Sequence, residues 1–367
     1  MRAIILAGGE ATRLRPLTER IPKQLMPVLN RPMIEYLLTH LRTHGVDEIT
    51  FALTRAPLVE RIRETLGDGA EFGIEIDYAY EETPLGSGGA IAGAAAGLDE
   101  PFLVCNGDIV TDLDVSAMVE DHHAEGAELS IFLRPVDDPS RFGVAVLGRD
   151  DRIVHFVEKP EREPPSNLIN AGVWLFQPSL LAELDATRHN MVERELFPTL
   201  AAAGRGIYGF QQDSYWIDVG THESYLQVNG DLLAGACDIH RSDGWPDDGV
   251  MTEGADVHAG TCVFPPALLA ETSVTREGSR IEGPVTIGRG STVAAAAIVA
   301  GSVLWDGVTV GRDAVVRDSV LASGVTIEAG ATVEGAMIGH EATVAAGEQV
   351  PPGTTVGPGV RYETARA

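Results

Sequence analysis

The sequence predicts an α/β protein in two parts: a Rossmann-like, mostly parallel sheet covered by helices over residues 1–235, then a C-terminal left-handed parallel β-helix of hexapeptide repeats over 281–367. Residues 236–280 are read as linker and lead-in to the repeats. Three observations carry this. From residue 3 to about 235, short β-branched or apolar runs alternate with helical stretches, the pattern of a βαβ layer architecture. That rhythm then stops among Asp-Gly, Trp-Pro, Asp-Asp-Gly and Pro-Pro punctuation. Beyond it, residues 285–301, 302–318, 319–335 and 336–352 align as four consecutive 17-residue units.

In chain order, strands are expected at 3–7, 49–53, 74–80, 102–105, 129–133 and 173–176. Helices are expected at 33–43, 58–66, 88–96, 115–125 and 192–203. Ligands of such a sheet sit at the carboxyl ends of its strands.

Within each repeat unit, small aliphatic residues recur close to every sixth position: Ile287, Val293 and Val299; Leu304, Val310 and Val316; Leu321, Ile327 and Val333; Ile338, Val344 and Val350. One inward aliphatic residue per hexad builds a prism of about four stacked coils, whose core no single repeat could bury alone. Unrelated strands of a sandwich would not keep that spacing. Pro351-Pro352 and the polar tail 362–367 are read as a cap on the last coil.

Composition narrows the function. With 44% hydrophobic and 22% charged residues the chain is too apolar for disorder. It has no long apolar run or signal-peptide pattern, so a cytoplasmic protein with no membrane partner is expected. Cys105, Cys237 and Cys262 are odd in number and widely spaced, fitting neither a disulfide framework nor a CxxC metal site. A net charge of -27 repels polyanions, so nucleic acid is excluded as a partner and any phosphate must be caught locally. Residues 2–31 are the exception, with Arg2, Arg13, Arg15, Arg20, Lys23 and Arg31 against only Glu10 and Glu19. Lys23 and Lys159 are the only lysines in a chain otherwise given to arginine. An ammonium group is a compact point charge suited to a phosphate oxygen.

The segment Leu6 to Val28, LAGGEATRLRPLTERIPKQLMPV, follows the first strand immediately. Gly8 and Gly9 let backbone N–H groups approach polyphosphate oxygens, while Arg13 and Lys23 can neutralise charge building on phosphorus and on departing pyrophosphate. This is neither GxGxxG nor a Walker sequence. It resembles the sugar-1-phosphate nucleotidyltransferases, or nucleoside-diphosphate-sugar pyrophosphorylases, with their GGxGTRLxPLT loop followed by PKxLxPV. Further motifs of that family follow in order: EETPLGSGG from Glu81, NGD from Asn106, FGV from Phe142, FVEKP from Phe156, NAG from Asn170 and WIDVGT from Trp216. One position departs from the pattern: Ala11 stands where the family has glycine.

The resemblance implies roles for particular residues. Leu6, Gly8, Gly9, Thr12, Glu81 and Gly86 would bind the nucleotide, with Arg13, Lys23 and Asp108 catalytic. Gly143, Glu158, Lys159, Asn170 and Gly172 would bind the sugar phosphate. Asp108 and Asp218 would hold Mg²⁺, which takes hard oxygen ligands and shares its shell with substrate phosphates. The sugar phosphate is already a nucleophilic dianion, so no strong general base is needed.

Glu81 or Glu82 as an acceptor-only carboxylate favours guanine, which offers two adjacent donors, over thymine, which offers one N–H between two carbonyls. The TPLGSGG wording is similar to mannose-1-phosphate guanylyltransferases, whereas Gln24 is more like thymidylyltransferases. GTP with mannose 1-phosphate or a related hexose or cyclitol 1-phosphate is therefore expected; dTTP with glucose 1-phosphate, or a non-catalytic regulatory homologue, is the alternative. An acyltransferase using His258 or His340 is a further one. The repeats carry no evident catalytic residue, so they are read as an assembly domain giving a homo-oligomer, and a chain cut after residue 235 is expected to retain transfer.

Overall fold

The run Ala3-Ile4-Ile5 is buried on both faces, as a strand inside a parallel sheet must be. In the computed structural model, which describes residues 1–9, 11–237, 246, 248–252 and 254–364, this run forms the strand Arg2–Leu6. It lies between Glu48–Thr54 and Phe102–Asn106, with Glu75–Glu81 outside Glu48–Thr54, all four parallel. Beyond Phe102–Asn106 the sheet passes to antiparallel Leu168–Phe176 and on to Gly143–Leu147 and Ile153–Glu158. Leu129–Pro135 also pairs with Leu168–Phe176, and Ile207–Gln211 with Leu129–Pro135. One face packs on an aromatic cluster in which Trp174 and Phe156 meet the Phe197 ring edge-on at 5.2 and 5.3 Å.

The differences from the expected elements have local causes. Three strands of this large sheet lie outside the expected set: Gly143–Leu147, Ile153–Glu158 and Ile207–Gln211. In the second, a register shift between Ile153 and His155 breaks the two-residue period that betrays a strand. Leu168–Phe176 starts earlier than expected because Asn170-Ala171-Gly172 is a bulge inside it, with Gly172 at φ 77. The last helix of the sheet region is shortened to Leu196–Ala202, which leaves Pro198 in its first turn, where a missing N–H has no intrahelical acceptor to lose.

These strands belong to one compact unit, Met1–Gly9 with Leu37–Trp216; the other is Glu10–Tyr36 with Ile217–Ala367. In the second unit, parallel strands stack into three sheets of seven, seven and six, consistent with the left-handed β-helix class. All twelve hexad aliphatics are 0–2% exposed. Among the described residues the stack begins at Val250–Met251, so two coils precede the four repeat units, almost wholly in the stretch read as lead-in, the second ending in Arg280–Glu282. Residues 238–245 of that stretch, and 365–367 of the expected cap, lie outside the described residues.

The register explains why only the middle coils repeat visibly. Thr286 pairs with Val303 and Ile298 with Val315, 17 residues on, whereas Leu269 pairs with Ile287 and Ile338 with Val356, 18 on. Three hexads make 18, and the middle coils lose one residue at a single corner. Buried Ser302 and Ser319 occupy that corner: each hydroxyl donates to the carbonyl two residues back at 2.6 Å and accepts the N–H of Ser319 and Ala336, respectively, at 3.1 Å.

Candidate active site

In the first unit, the carboxyl ends of the four parallel strands converge on a cavity of about 280 Å³. Five of the six expected nucleotide-binding residues line it, Leu6, Gly8, Gly9, Glu81 and Gly86, together with Asp108. Sterics account for the glycines. A Cβ on Gly8 would meet the Thr54 hydroxyl at 3.2 Å, and none of the described protein atoms lies within 4 Å of one on Gly9, leaving that backbone open to a ligand. Gly86, at φ 75, starts the helix Gly86–Ala94, whose N-terminal end faces the cavity as an anion-binding terminus does.

Glu81 ends its strand with one carboxylate oxygen accepting the Leu85 N–H at 3.3 Å; the other, Oε1, is buried without a hydrogen-bond partner. Burial raises the carboxyl above its ordinary pKa, opposed by that N–H. An acceptor of this kind in a cavity wall is an unfilled position for a donor.

A groove of about 720 Å³ in the same unit is lined by Glu158 and Lys159, whose side chains pair at 3.2 Å. Gly143 lies opposite Glu158 in the antiparallel register, and a Cβ there would stand 2.7 Å from the Glu158 carboxylate. A Cβ on Gly172 would stand 2.6 Å from the Asn106 amide, so this glycine keeps the NAG bulge against the NGD strand. Asn170 is committed to structure: its Oδ1 accepts the Gly172 N–H at 3.0 Å and the Trp174 indole at 2.7 Å. Trp216 ties the motifs together, donating to the Ala171 carbonyl at 2.8 Å and meeting the Phe142 ring edge-on at 5.9 Å.

Sequence reasoning missed Glu193. It lines both the cavity and the groove, and accepts the Ser87 hydroxyl at 2.5 Å. Burial raises its pKa, with the Glu158 charge adding to that and the Ser87 bond opposing it. One of two glutamates, Glu193 and Glu195, ahead of Leu-Phe-Pro, it carried no local signal, because its partner lies 106 residues away.

The second unit gathers Thr12, Arg13, Lys23 and Asp218. Thr12 and Arg13 form a short 3-10 turn, Thr12–Leu14, entered through Ala11 in the left-handed region at φ 45. Lys23 is largely buried, with its ammonium 3.7 Å from the Asp218 carboxylate. A Cβ on Gly220 would meet both Asp218 oxygens at 3.5 Å and the Arg13 guanidinium at 3.8 Å, so the Asp218 and Arg13 charges both lie against this glycine. His340 points at the Leu17 carbonyl, 3.3 Å away, and His258 Nδ1 accepts the Gly260 N–H at 3.0 Å, so both histidines proposed for acyl transfer are engaged in structure.

Among the described residues no three His, Cys, Asp or Glu side chains cluster as a ready metal cage. A cation held by single carboxylates must complete its shell with water and substrate oxygens, which is the habit of Mg²⁺ and fits the donors present. Also among the described residues, no helix is long and apolar enough to cross a membrane.

Residues 2–235 match the nucleotidyl transferase family, and 263–362 match the GMPPB C-terminal domain. A mannose-1-phosphate guanylyltransferase of Mycobacterium tuberculosis is 34% identical over 83% of this chain and 80% of its own. A UTP-glucose-1-phosphate uridylyltransferase of Synechocystis sp. is 31% identical over 83% of each chain. Among solved structures, HddC from Yersinia pseudotuberculosis complexed with GMP-PN aligns with a TM-score of 0.54 at 27% identity, covering 63% of this chain and 99% of that one. Enzymes of this kind generally use a divalent metal. With the family's motifs lining a cavity at the carboxyl ends of its sheet, and with these relatives, the chain belongs to the nucleotidyl transferase family and is an enzyme of that class.

Proposed function

We propose that the enzyme transfers GMP from GTP to mannose 1-phosphate, or to a closely related hexose 1-phosphate, and releases pyrophosphate. The observation that carries the choice of base is Glu81, with a buried carboxylate oxygen that lacks a partner in the cavity wall. Guanine N1–H and the N2 amino group present two donors side by side to such a carboxylate; thymine and uracil present one N–H flanked by carbonyls. The guanylyltransferase name of the mycobacterial relative and the GMP-PN bound by HddC support the same base. The relative's name also supports the sugar.

In this reading Gly8, Gly9 and the N-terminal end of Gly86–Ala94 hold the triphosphate through backbone N–H groups. Arg13 and Lys23 neutralise charge on the transferring and leaving phosphates. Lys159 steers the sugar phosphate, and Glu158 and Asn170 bond sugar hydroxyls. Asp108 and Asp218 are proposed as Mg²⁺ ligands; when bound, the ion polarises the phosphates. Cytoplasmic action and a homo-oligomer built through the coil flanks belong to the same reading, and light scattering tests the latter.

The deciding experiment is pyrophosphate release from GTP, dTTP, UTP, ATP and CTP, each with mannose 1-phosphate and glucose 1-phosphate. GTP with mannose 1-phosphate should give the highest kcat/KM, and Glu81→Gln should lower the GTP value by about 10- to 100-fold. Equal use of dTTP, or an unaffected Gln variant, overturns the assignment of the base. Asp108→Ala and Asp218→Ala should each lose at least about 100-fold in turnover with the fold intact, and full activity in either removes that carboxylate from the metal.

A further inference from the structure

The loop that carries Arg13 and Lys23 has almost no regular structure of its own: three 3-10 turns and a two-residue hairpin pairing Pro27–Val28 with Arg31–Pro32. At the hairpin tip, Leu29 and Asn30 both sit in the left-handed region, at φ 46 and 63. A leucine holds that conformation only where its surroundings impose it. The surroundings here are the helix His222–Leu233 and the β-helix, all within the second compact unit.

The contacts follow the loop in order. The Leu17 carbonyl accepts from His340 at 3.3 Å, and Arg20 pairs with Glu341 at 2.7 Å. The Pro27 carbonyl accepts the Tyr225 hydroxyl, which itself accepts the Trp305 indole N–H at 2.9 Å. The Leu29 N–H donates to Asn229 at 3.1 Å, and the Asn30 amide donates to the Ile287 carbonyl at 3.3 Å. Trp305, His340, Glu341 and Ile287 all belong to coils of the stack. Tyr225 is fully buried and Trp305 is 2% exposed, so the indole–phenol bond lies in the interior and the phenol–carbonyl bond is partly buried, where a missing partner is costly. Lys23 lies between two of these anchors, Arg20 and Pro27.

We propose that the β-helix is a positioning element for catalysis: Trp305, acting through Tyr225 on the Pro27 carbonyl, holds the loop so that Lys23 stands against Asp218. Trp305 and Tyr225 are positioning residues in this scheme, and neither touches substrate. The inference rests on the role proposed above for Lys23. It also changes the expectation for a chain cut after residue 235, which would keep Lys23 but lose Trp305, His340, Glu341 and Ile287, and should lose transfer.

The test uses the full-length protein. Trp305→Phe fills most of the indole's volume and removes only the donor; Tyr225→Phe removes the hydroxyl at the centre of the chain. Each should lower kcat/KM for the nucleoside triphosphate by about tenfold or more, the scale of small misplacements of a catalytic group, with the sugar 1-phosphate KM within about twofold of wild type, assayed well below each variant's melting temperature. In a Lys23→Ala background Trp305→Phe should cost nothing further, because the group it positions is gone. If both single variants melt lower yet keep wild-type kinetics, their role is structural alone and the proposal falls. A Trp305→Phe effect that persists undiminished without Lys23 also overturns it. If Tyr225→Phe does not fold, Trp305→Phe and His340→Gln carry the same readout. Failure of the Lys23 assignment itself shows separately, as Lys23→Ala keeping full activity.

Discussion

The ammonium of Lys23 lies 3.7 Å from the Asp218 carboxylate, although 195 residues separate them. One of the protein's two lysines is thereby held, largely buried, at the motif proposed to bind metal. The other, Lys159, is 57% exposed beside the groove of the sheet-bearing unit. Burial and partner thus separate two residues of identical chemistry.

Kinetics should separate them too. Lys23→Ala is expected to impair the triphosphate side, in KM and in kcat, while Lys159→Ala raises the sugar 1-phosphate KM much more than the triphosphate KM. Initial-rate measurements varying each substrate in turn check this, and the reverse pattern would mean that the roles are exchanged.

Ala11 occupies the left-handed region, at φ 45 and ψ 43, where a Cβ costs about 1–2 kcal/mol. Ala11→Gly removes that strain and returns part of it, roughly 0.4–1 kcal/mol, as greater freedom of the unfolded chain. The expected net result is a melting temperature raised by about 1–3 °C with turnover retained. A variant that melts lower than wild type would show that the methyl contributes packing that outweighs the strain.

His122 is fully buried between the Ser130 hydroxyl at 2.8 Å and the Gln177 amide at 3.1 Å, and burial, aided by the neighbouring His123, lowers its pKa from 6.5 to about 4. The unfolded chain therefore binds the proton more readily than the native one. Stability from this group is complete above pH 6.5 and falls as pH drops towards 4, by at most roughly 3 kcal/mol. Buried His40 and half-buried His222 are shifted in the same direction. Melting temperatures should decline between pH 6.5 and 4.5, and the ring protons of His122 should not titrate in that range by NMR. A midpoint near 6.5 for His122 would sink this account.

Ser319→Ala should destabilise the repeat stack by about 1–3 kcal/mol, because the buried Ala336 N–H then loses its acceptor at the tight corner. Ser302→Ala should do the same through the Ser319 N–H. Urea unfolding checks both, and a loss below about 0.5 kcal/mol would mean that water or a shifted backbone replaces the hydroxyl.

How far each feature could be read from the chain follows from how local its signal is. The hexad period repeats every few residues, so it announced the β-helix, yet the outer coils stayed hidden because their 18-residue steps differ from the 17-residue steps between them. A glycine pair and cations after a first strand are likewise local, and with the order of the motifs they pointed to the cavity-lining residues Gly8, Gly9, Glu81, Gly86 and Asp108 before any geometry. Antiparallel strands with mixed burial, such as Ile153–Glu158, left no clean period to find.

What the sequence by itself determined is therefore the α/β class, the repeat architecture and the family's chemistry, because periodicity and motif wording are written in neighbouring residues. Tertiary structure alone decided that Glu193 meets Ser87, that Lys23 meets Asp218, and that the loop of residues 11–32 is held at Pro27 by Tyr225, itself bonded by Trp305. Each of those contacts joins residues about 80 to 200 positions apart, and only packing of the whole chain selects such partners.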